Sequence, residues 1–143
     1  MKTLKQVIDT KNIKELLTIS PNQTVLDALI VMAEYKIGAL LVTDKEKMVG
    51  IVSERDYARE IILHKKSSKE TLVKDIMTKK VLFLDPSDSF EKGLEIMTEK
   101  KVRHIPVLKG DKIIGMVSQG DLVKEMISHQ KDLISQLEIF IQN

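Results

Sequence analysis

GIVSERD at residues 50–56 and GMVSQGD at residues 115–121 are one phrase written twice. Each is an apolar, strand-like run that ends in Ser-x-x-Asp. By itself that ending describes a helix start. The serine caps the first turn, and the acidic residue three places on returns a hydrogen bond to the cap. The same four positions could also hold a ligand. The pattern alone leaves both readings open, and its recurrence has to be explained.

The two segments lie 65 residues apart. At that shift residues 21–60 pair with 86–125 without a gap, and 12 of the 40 pairs are identical. Unrelated stretches of ordinary composition would share roughly two or three. The identities include Pro21/Pro86, Leu29/Leu94, Met32/Met97, Gly50/Gly115, Ser53/Ser118 and Asp56/Asp121. Pairs such as Val31/Ile96 and Ile37/Val102 keep apolar character. A gapless internal repeat means that each copy is one supersecondary unit.

One copy gives the order of elements. TIS (18–20) and VLFL (81–84) are short β-like runs, closed by Ser20-Pro21 and Asp85-Pro86, since proline disfavours helix just before it. TVLDALIVMAEYK and SFEKGLEIMTEKK follow at helical spacing, and Thr24 with Asp27 makes a capping box. ALLVTD with KMVGIVS, and HIPVLKG with KIIGMVS, flank the polar turns DKEK and KGDK, which predicts a hairpin in each copy. A last helix opens at Ser53 or Ser118. The expected fold class is mixed α/β: two pseudo-twofold-related β-α-β-β-α repeats packed sheet to sheet. A copy of about 60 residues buries too little surface to stand well alone. The expected organisation is a first repeat with its N-terminal segment at 1–64, a linker at 65–72, a second repeat at 73–128 and a helical extension at 129–143. Clefts where strand ends meet helix starts are the default ligand sites of such sheets, and both Ser-x-x-Asp motifs fall there.

Composition narrows the function classes. At 43% hydrophobic and 31% charged residues, the 143-residue chain reads as globular. No apolar run approaches the roughly 20 residues of a membrane helix, and the start lacks the features of a secretory signal. The absence of cysteine excludes disulfides, thiolate metal sites and cysteine catalysis, and fits a cytoplasmic setting. Net charge is +2 and aromatic content 3%, which argues against a nucleic-acid partner. No nucleophile–base pair, metal cluster or phosphate-binding glycine loop stands out, so no enzymatic activity is expected.

The repeated PNQTVLDALIVMAEYKIGALLVTDKEKMVGIVSERDY and PSDSFEKGLEIMTEKKVRHIPVLKGDKIIGMVSQGDL resembles the tandem CBS domain, or Bateman module, from about residue 8 to residue 128. The resemblance implies a signal-transduction module that binds adenosine-containing ligands such as AMP, ADP, ATP, NAD or S-adenosylmethionine. It implies a homodimer that regulates an attached or separate effector; as this chain shows no effector domain, regulation is expected to act in trans. S-adenosylmethionine binding or a purely structural adaptor role is the alternative.

Carried over residue by residue, the resemblance makes Asp56 and Asp121 ribose-binding carboxylates and Ser53 and Ser118 their neighbouring hydroxyls. A carboxylate suits the task because it can accept both ribose hydroxyls in charge-assisted hydrogen bonds. In the family, each site borrows strand residues from the other repeat. One set would combine Ser53, Arg55 and Asp56 with Leu82, Val102, Arg103 and His104. The other would combine Ser118, Gly120 and Asp121 with Leu17, Ile37, Gly38 and Ala39. The first set carries three candidate cations, and the second has Gly120, Gly38 and Ala39 in their places. The expectation is a phosphorylated nucleotide at the first set, and a less charged or larger adenosyl ligand, or none, at the second.

His64 and His129 have no partners at metal-ligand spacing and read as surface residues. Met32, Met97 and Met126 read as core filler, and Gly50 and Gly115 as points of bend or close approach. The tail DLVKEMISHQKDLISQLEIFIQN carries an apolar stripe. It predicts a helix that packs on its own module, extends a dimer interface or docks a partner.

Overall fold

The computed structural model describes residues 2–11 and 16–142; residues 1 and 143, the outer ends of the expected first and last segments, and residues 12–15 lie outside it. The residues sort into two compact units: 15–82 with 110–113, built on the first repeat, and 1–14 with 83–109 and 114–143, built on the second.

In the first-repeat unit, β1 (Thr18–Ile19) pairs in parallel with β2 (Ala39–Asp44), which runs antiparallel to β3 (Lys47–Ser53). The helix between β1 and β2, α2 (Val25–Tyr35), starts as its sequence predicts. Thr24 Oγ1 accepts the Asp27 N–H at 3.1 Å, and Asp27 Oδ2 accepts the Thr24 N–H at 3.2 Å. The turn between β2 and β3 places Lys45 and Glu46 at φ +51° and +67°, which suits the twist of a two-residue hairpin. Ile19, Val25, Ala28, Met32, Leu40, Val42 and Val52 form the core.

The second-repeat unit contains α5 (Phe90–Lys100), β4 (His104–Lys109), β5 (Lys112–Ser118) from residue 114 onward, and α6 (Gln119–Gln142), over a core of Phe90, Met97, Ile105, Val107, Val117 and Leu122. Its expected first strand at 81–84 is reduced to a bridge between Leu84 and Val107. Pro106, which stands where Leu41 does in the first repeat, has no N–H to extend the ladder. Leu82 and Phe83 leave their side chains exposed, so little burial holds a longer strand there.

Two further short helices cross over in sequence. The N-terminal α1 (Leu4–Asp9) packs with the second repeat, where Leu4 and Val7 are core residues. The inter-repeat α4 (Val73–Ile76) packs with the first, where Val73 and Ile76 are core residues. Their docking bonds correspond one by one. Leu4 N–H donates to Asp88 O and Lys5 N–H to Pro86 O, while Val73 N–H donates to Gln23 O and Lys74 N–H to Pro21 O. The helix partners of the duplication are therefore offset by 69 residues, and the rest of the repeat by 65. Each docking helix lies against a strand glycine. A Cβ on Gly50 would stand 2.7 Å from Met77 Sδ, and one on Gly115 would stand 3.2 Å from Ile8. Close approach is thus what these two glycines provide.

The tail forms one helix with the end of the second repeat. Leu133, Ile134, Leu137, Phe140 and Ile141 are exposed on it, so the tail does not bury its stripe on its own unit. His64 is exposed, whereas His129 and Phe90 meet in a T-shaped arrangement with ring centroids 5.9 Å apart. Among the described residues, no helix is long and apolar enough to cross a membrane.

Candidate functional site

Both Ser-x-x-Asp motifs are capping boxes at the junction of a strand and a helix. Ser53 ends β3 and caps α3 (Glu54–Asp56). Its N–H donates to Asp56 Oδ2 at 2.8 Å, its hydroxyl to the same oxygen at 3.0 Å, and its Oγ accepts the Asp56 N–H at 3.2 Å. In the second copy, Ser118 N–H donates to Asp121 Oδ2 at 2.8 Å, and Ser118 Oγ accepts the Asp121 N–H at 3.1 Å. The capping reading is therefore correct for both. It leaves one oxygen of each carboxylate, Oδ1, without a hydrogen bond among the described residues, so the ligand reading remains chemically open.

Each motif has beside it residues at the start of the β-hairpin of its own repeat, which the resemblance assigned to the motif of the other repeat. Ala39 pairs with Ser53 across β2 and β3, and Gly38 O accepts the Glu54 N–H at 3.1 Å. Equivalently, Arg103 O accepts the Gln119 N–H at 2.8 Å, and His104 opens β4. Ile37 and Leu17 pack on the first core, and Val102 packs on the second. Arg55, Leu82, Arg103 and Gly120 are exposed. A Cβ at Gly120 would meet only Ser118 Oγ, at 3.7 Å, so a side chain fits there. The sets that combine residues of both repeats rest on the family resemblance.

The two carboxylates differ electrically in a way the repeat did not reveal. Asp56 is half-buried, and burial outweighs its hydrogen bonds from Ser53 and the nearby charge of Arg59; its carboxyl is pushed above the ordinary 3.8. Burial is also the largest influence on Asp121 and acts upward. Hydrogen bonds from Ser118 and Lys11, with the lysine's charge, together carry that carboxyl below 3.8. Lys11 Nζ lies 2.9 Å from Asp121 Oδ2 and donates to Met116 O at 2.9 Å. Counting charges at repeat-equivalent positions missed this cation because it arrives with α1, outside the 65-residue alignment.

Beyond the first turn the copies diverge again. Asp56 is followed by a π-helical segment, Tyr57–Ile62, whereas Asp121 lies in the regular helix α6. Short π segments often occur at functional sites. A groove of about 610 Å³ along α5 and α6, lined by residues including Leu94, Ile96 and Met126, involves neither motif. Among the described residues, no cluster of His, Cys, Asp and Glu could hold a metal ion.

Comparison with known proteins gives the same architecture. A protein with CBS domains from Burkholderia ambifaria MC40-6 is 46% identical, with a TM-score of 0.86, covering 90% of this chain and 96% of that one. The CBS-domain-containing protein ATU1752 from Agrobacterium tumefaciens is 30% identical, with a TM-score of 0.81 over 87% of this chain and 99% of that one. Among curated relatives, the mitochondrial CBS domain-containing protein CBSX3 of Arabidopsis thaliana is 38% identical over 126 residues, 85% of this chain. The chain spans 61% of that relative's length. The CBS domain itself matches twice, at residues 5–63 and 73–128. The duplicated strand–helix–hairpin units, each ending in a capped Ser-x-x-Asp, are thus a pair of CBS domains, and the chain belongs to the CBS-domain family of regulatory modules.

Proposed function

We propose that this chain is a sensor of adenine nucleotides (AMP, ADP, ATP or NAD) that binds them at its two repeats and acts in trans on an effector protein. The observation that carries the reading is the duplicated motif geometry. A half-buried carboxylate is fixed by its own cap through Oδ2, while Oδ1 makes no hydrogen bond among the described residues. A fixed carboxylate with acceptor capacity left over suits a ribose diol. The adjoining helix start favours phosphate nearby, and exposed Arg55 adds a cation at the first motif.

Under this reading Ser53, Arg55 and Asp56 form the primary nucleotide contacts, and Ser118, Gly120 and Asp121 the secondary ones. Signalling is a population shift: the ligand stabilises the conformation it binds better, as a homodimer presents it to the effector. No catalysis is assigned.

A thermal-shift panel of AMP, ADP, ATP, NAD, NADH and S-adenosylmethionine tests the proposal. A ligand at about 100 times its dissociation constant adds roughly 2.7 kcal/mol, or about 5–11 °C for a chain of this size. A response to S-adenosylmethionine alone would replace the nucleotide reading. No response to any of the six would favour a structural adaptor.

A further inference from the structure

We propose that Lys11 is a specificity-determining residue of the second motif: its ammonium holds Asp121 Oδ2, and adenosine gains the full use of that carboxylate only by displacing the lysine. This inference rests on the ribose-clamp reading of Ser-x-x-Asp given above.

Three observations carry it. First, the lysine is held from two sides, 2.9 Å from Asp121 Oδ2 and 2.9 Å from Met116 O, with only 28% of its side chain exposed. Second, Oδ2 already accepts the Ser118 N–H at 2.8 Å. A carboxylate oxygen offers about two lone-pair sites, so a ribose hydroxyl that reaches Oδ2 must expel one donor. The backbone amide belongs to the helix cap, which leaves the lysine as the group that moves. Third, the first copy lacks this arrangement. There the second donor to Asp56 Oδ2 is the neutral, rotatable Ser53 hydroxyl at 3.0 Å.

The first copy also shows why a lysine is used only once. The carbonyl equivalent to Met116 O is Ile51 O, and it accepts the Thr78 backbone N–H at 2.9 Å. The residue aligned with Lys11 through the 69-residue offset is Lys80, which makes no ion pair among the described residues. In the second copy the ammonium of Lys11 takes the place of that backbone bond and reaches the aspartate as well. The two motifs, equal in sequence, are therefore unequal in the availability of Oδ2: at Asp56 a neutral hydroxyl need only rotate away, and at Asp121 a lysine must leave.

The test is calorimetric binding of adenosine, an uncharged probe that isolates the ribose clamp from phosphate electrostatics. The full chain carries Asp56→Ala so that only the second motif reports. Adding Lys11→Met or Lys11→Gln should tighten adenosine binding about tenfold, the range of a charged hydrogen bond. Adding Lys11→Arg, which keeps the cation, should not. The latch is overturned if both neutral variants bind adenosine no more tightly than Asp56→Ala alone. If the gain appears but survives a further Asp121→Ala substitution, the ribose-clamp reading itself fails.

Discussion

Met77 Sδ lies 2.7 Å from where a Cβ on Gly50 would stand, and the carbonyl oxygen of Thr78 lies 2.9 Å from it. The α4 segment thus seats directly on the backbone of β3, with no room for a side chain between them. Alanine at position 50 would have to move a backbone carbonyl as well as a flexible thioether. At Gly115 the corresponding contact is the side chain of Ile8 at 3.2 Å, which needs to give only a few tenths of an ångström. Gly50→Ala should therefore destabilise the chain by about 1–3 kcal/mol, the usual range for overpacking, and Gly115→Ala by clearly less. Urea unfolding of the two variants checks the order.

The crossed helices make a second prediction. Leu4 is fully buried in the second-repeat core and Val73 fully buried in the first. Leu4→Ala should cost about 2–5 kcal/mol, although Leu4 precedes the first repeat in sequence. Hydrogen exchange should rise in β4 and β5 for Leu4→Ala, and in β2 and β3 for Val73→Ala. Exchange that rises in the opposite sheets would contradict the packing.

How much of this was legible in the sequence follows from where its signals lie. The gapless 65-residue shift carried the hairpins, the α2 cap and both Ser-x-x-Asp caps, because each depends on residues near in sequence. Which core the short helices join was not legible. Leu4 and Val7 match Val73 and Ile76 in character only at an offset of 69, and docking of a one- or two-turn helix is a tertiary event that local periodicity does not encode. The same displacement hid Lys11 from any count made at equivalent positions. The strand expected at 81–84 failed for a different reason: an apolar run marks a strand only where it finds a partner, and Pro106 removes a donor from that partner.

Asp56 and Asp121 should respond oppositely to pH. A carboxyl raised in the folded state favours its protonated form, so its contribution to stability is present below the ordinary 3.8 and is lost as pH rises through the raised value. A carboxyl lowered in the folded state contributes stability above 3.8 that is lost as pH falls through the lowered value. At neutral pH, Asp56→Asn should therefore be no less stable than the wild type. Asp121→Asn should be less stable by about 1 kcal/mol, the upper end of the range for ion pairs in contact with solvent, as both side chains are mostly shielded. Denaturation at neutral pH and again near pH 3, where both differences should shrink, reads out the signs.

Gly120 offers a gain-of-function prediction. It is exposed, and a Cβ there makes only ordinary contact with Ser118 Oγ at 3.7 Å. Gly120→Arg places at the second motif the residue that the first carries as Arg55. It should tighten ATP binding at the second motif several-fold while leaving adenosine binding there unchanged, since the added charge meets phosphate and not ribose. Calorimetry with both ligands in an Asp56→Ala background separates the two.

The central claim, that Asp56 is a ribose clamp in an adenine-nucleotide sensor, is tested most directly by titrating ATP into the wild type and Asp56→Ala side by side. The account predicts that the wild type binds and that Asp56→Ala, still folded, loses at least tenfold in affinity for its tighter site. Equal affinity in the two proteins would contradict it.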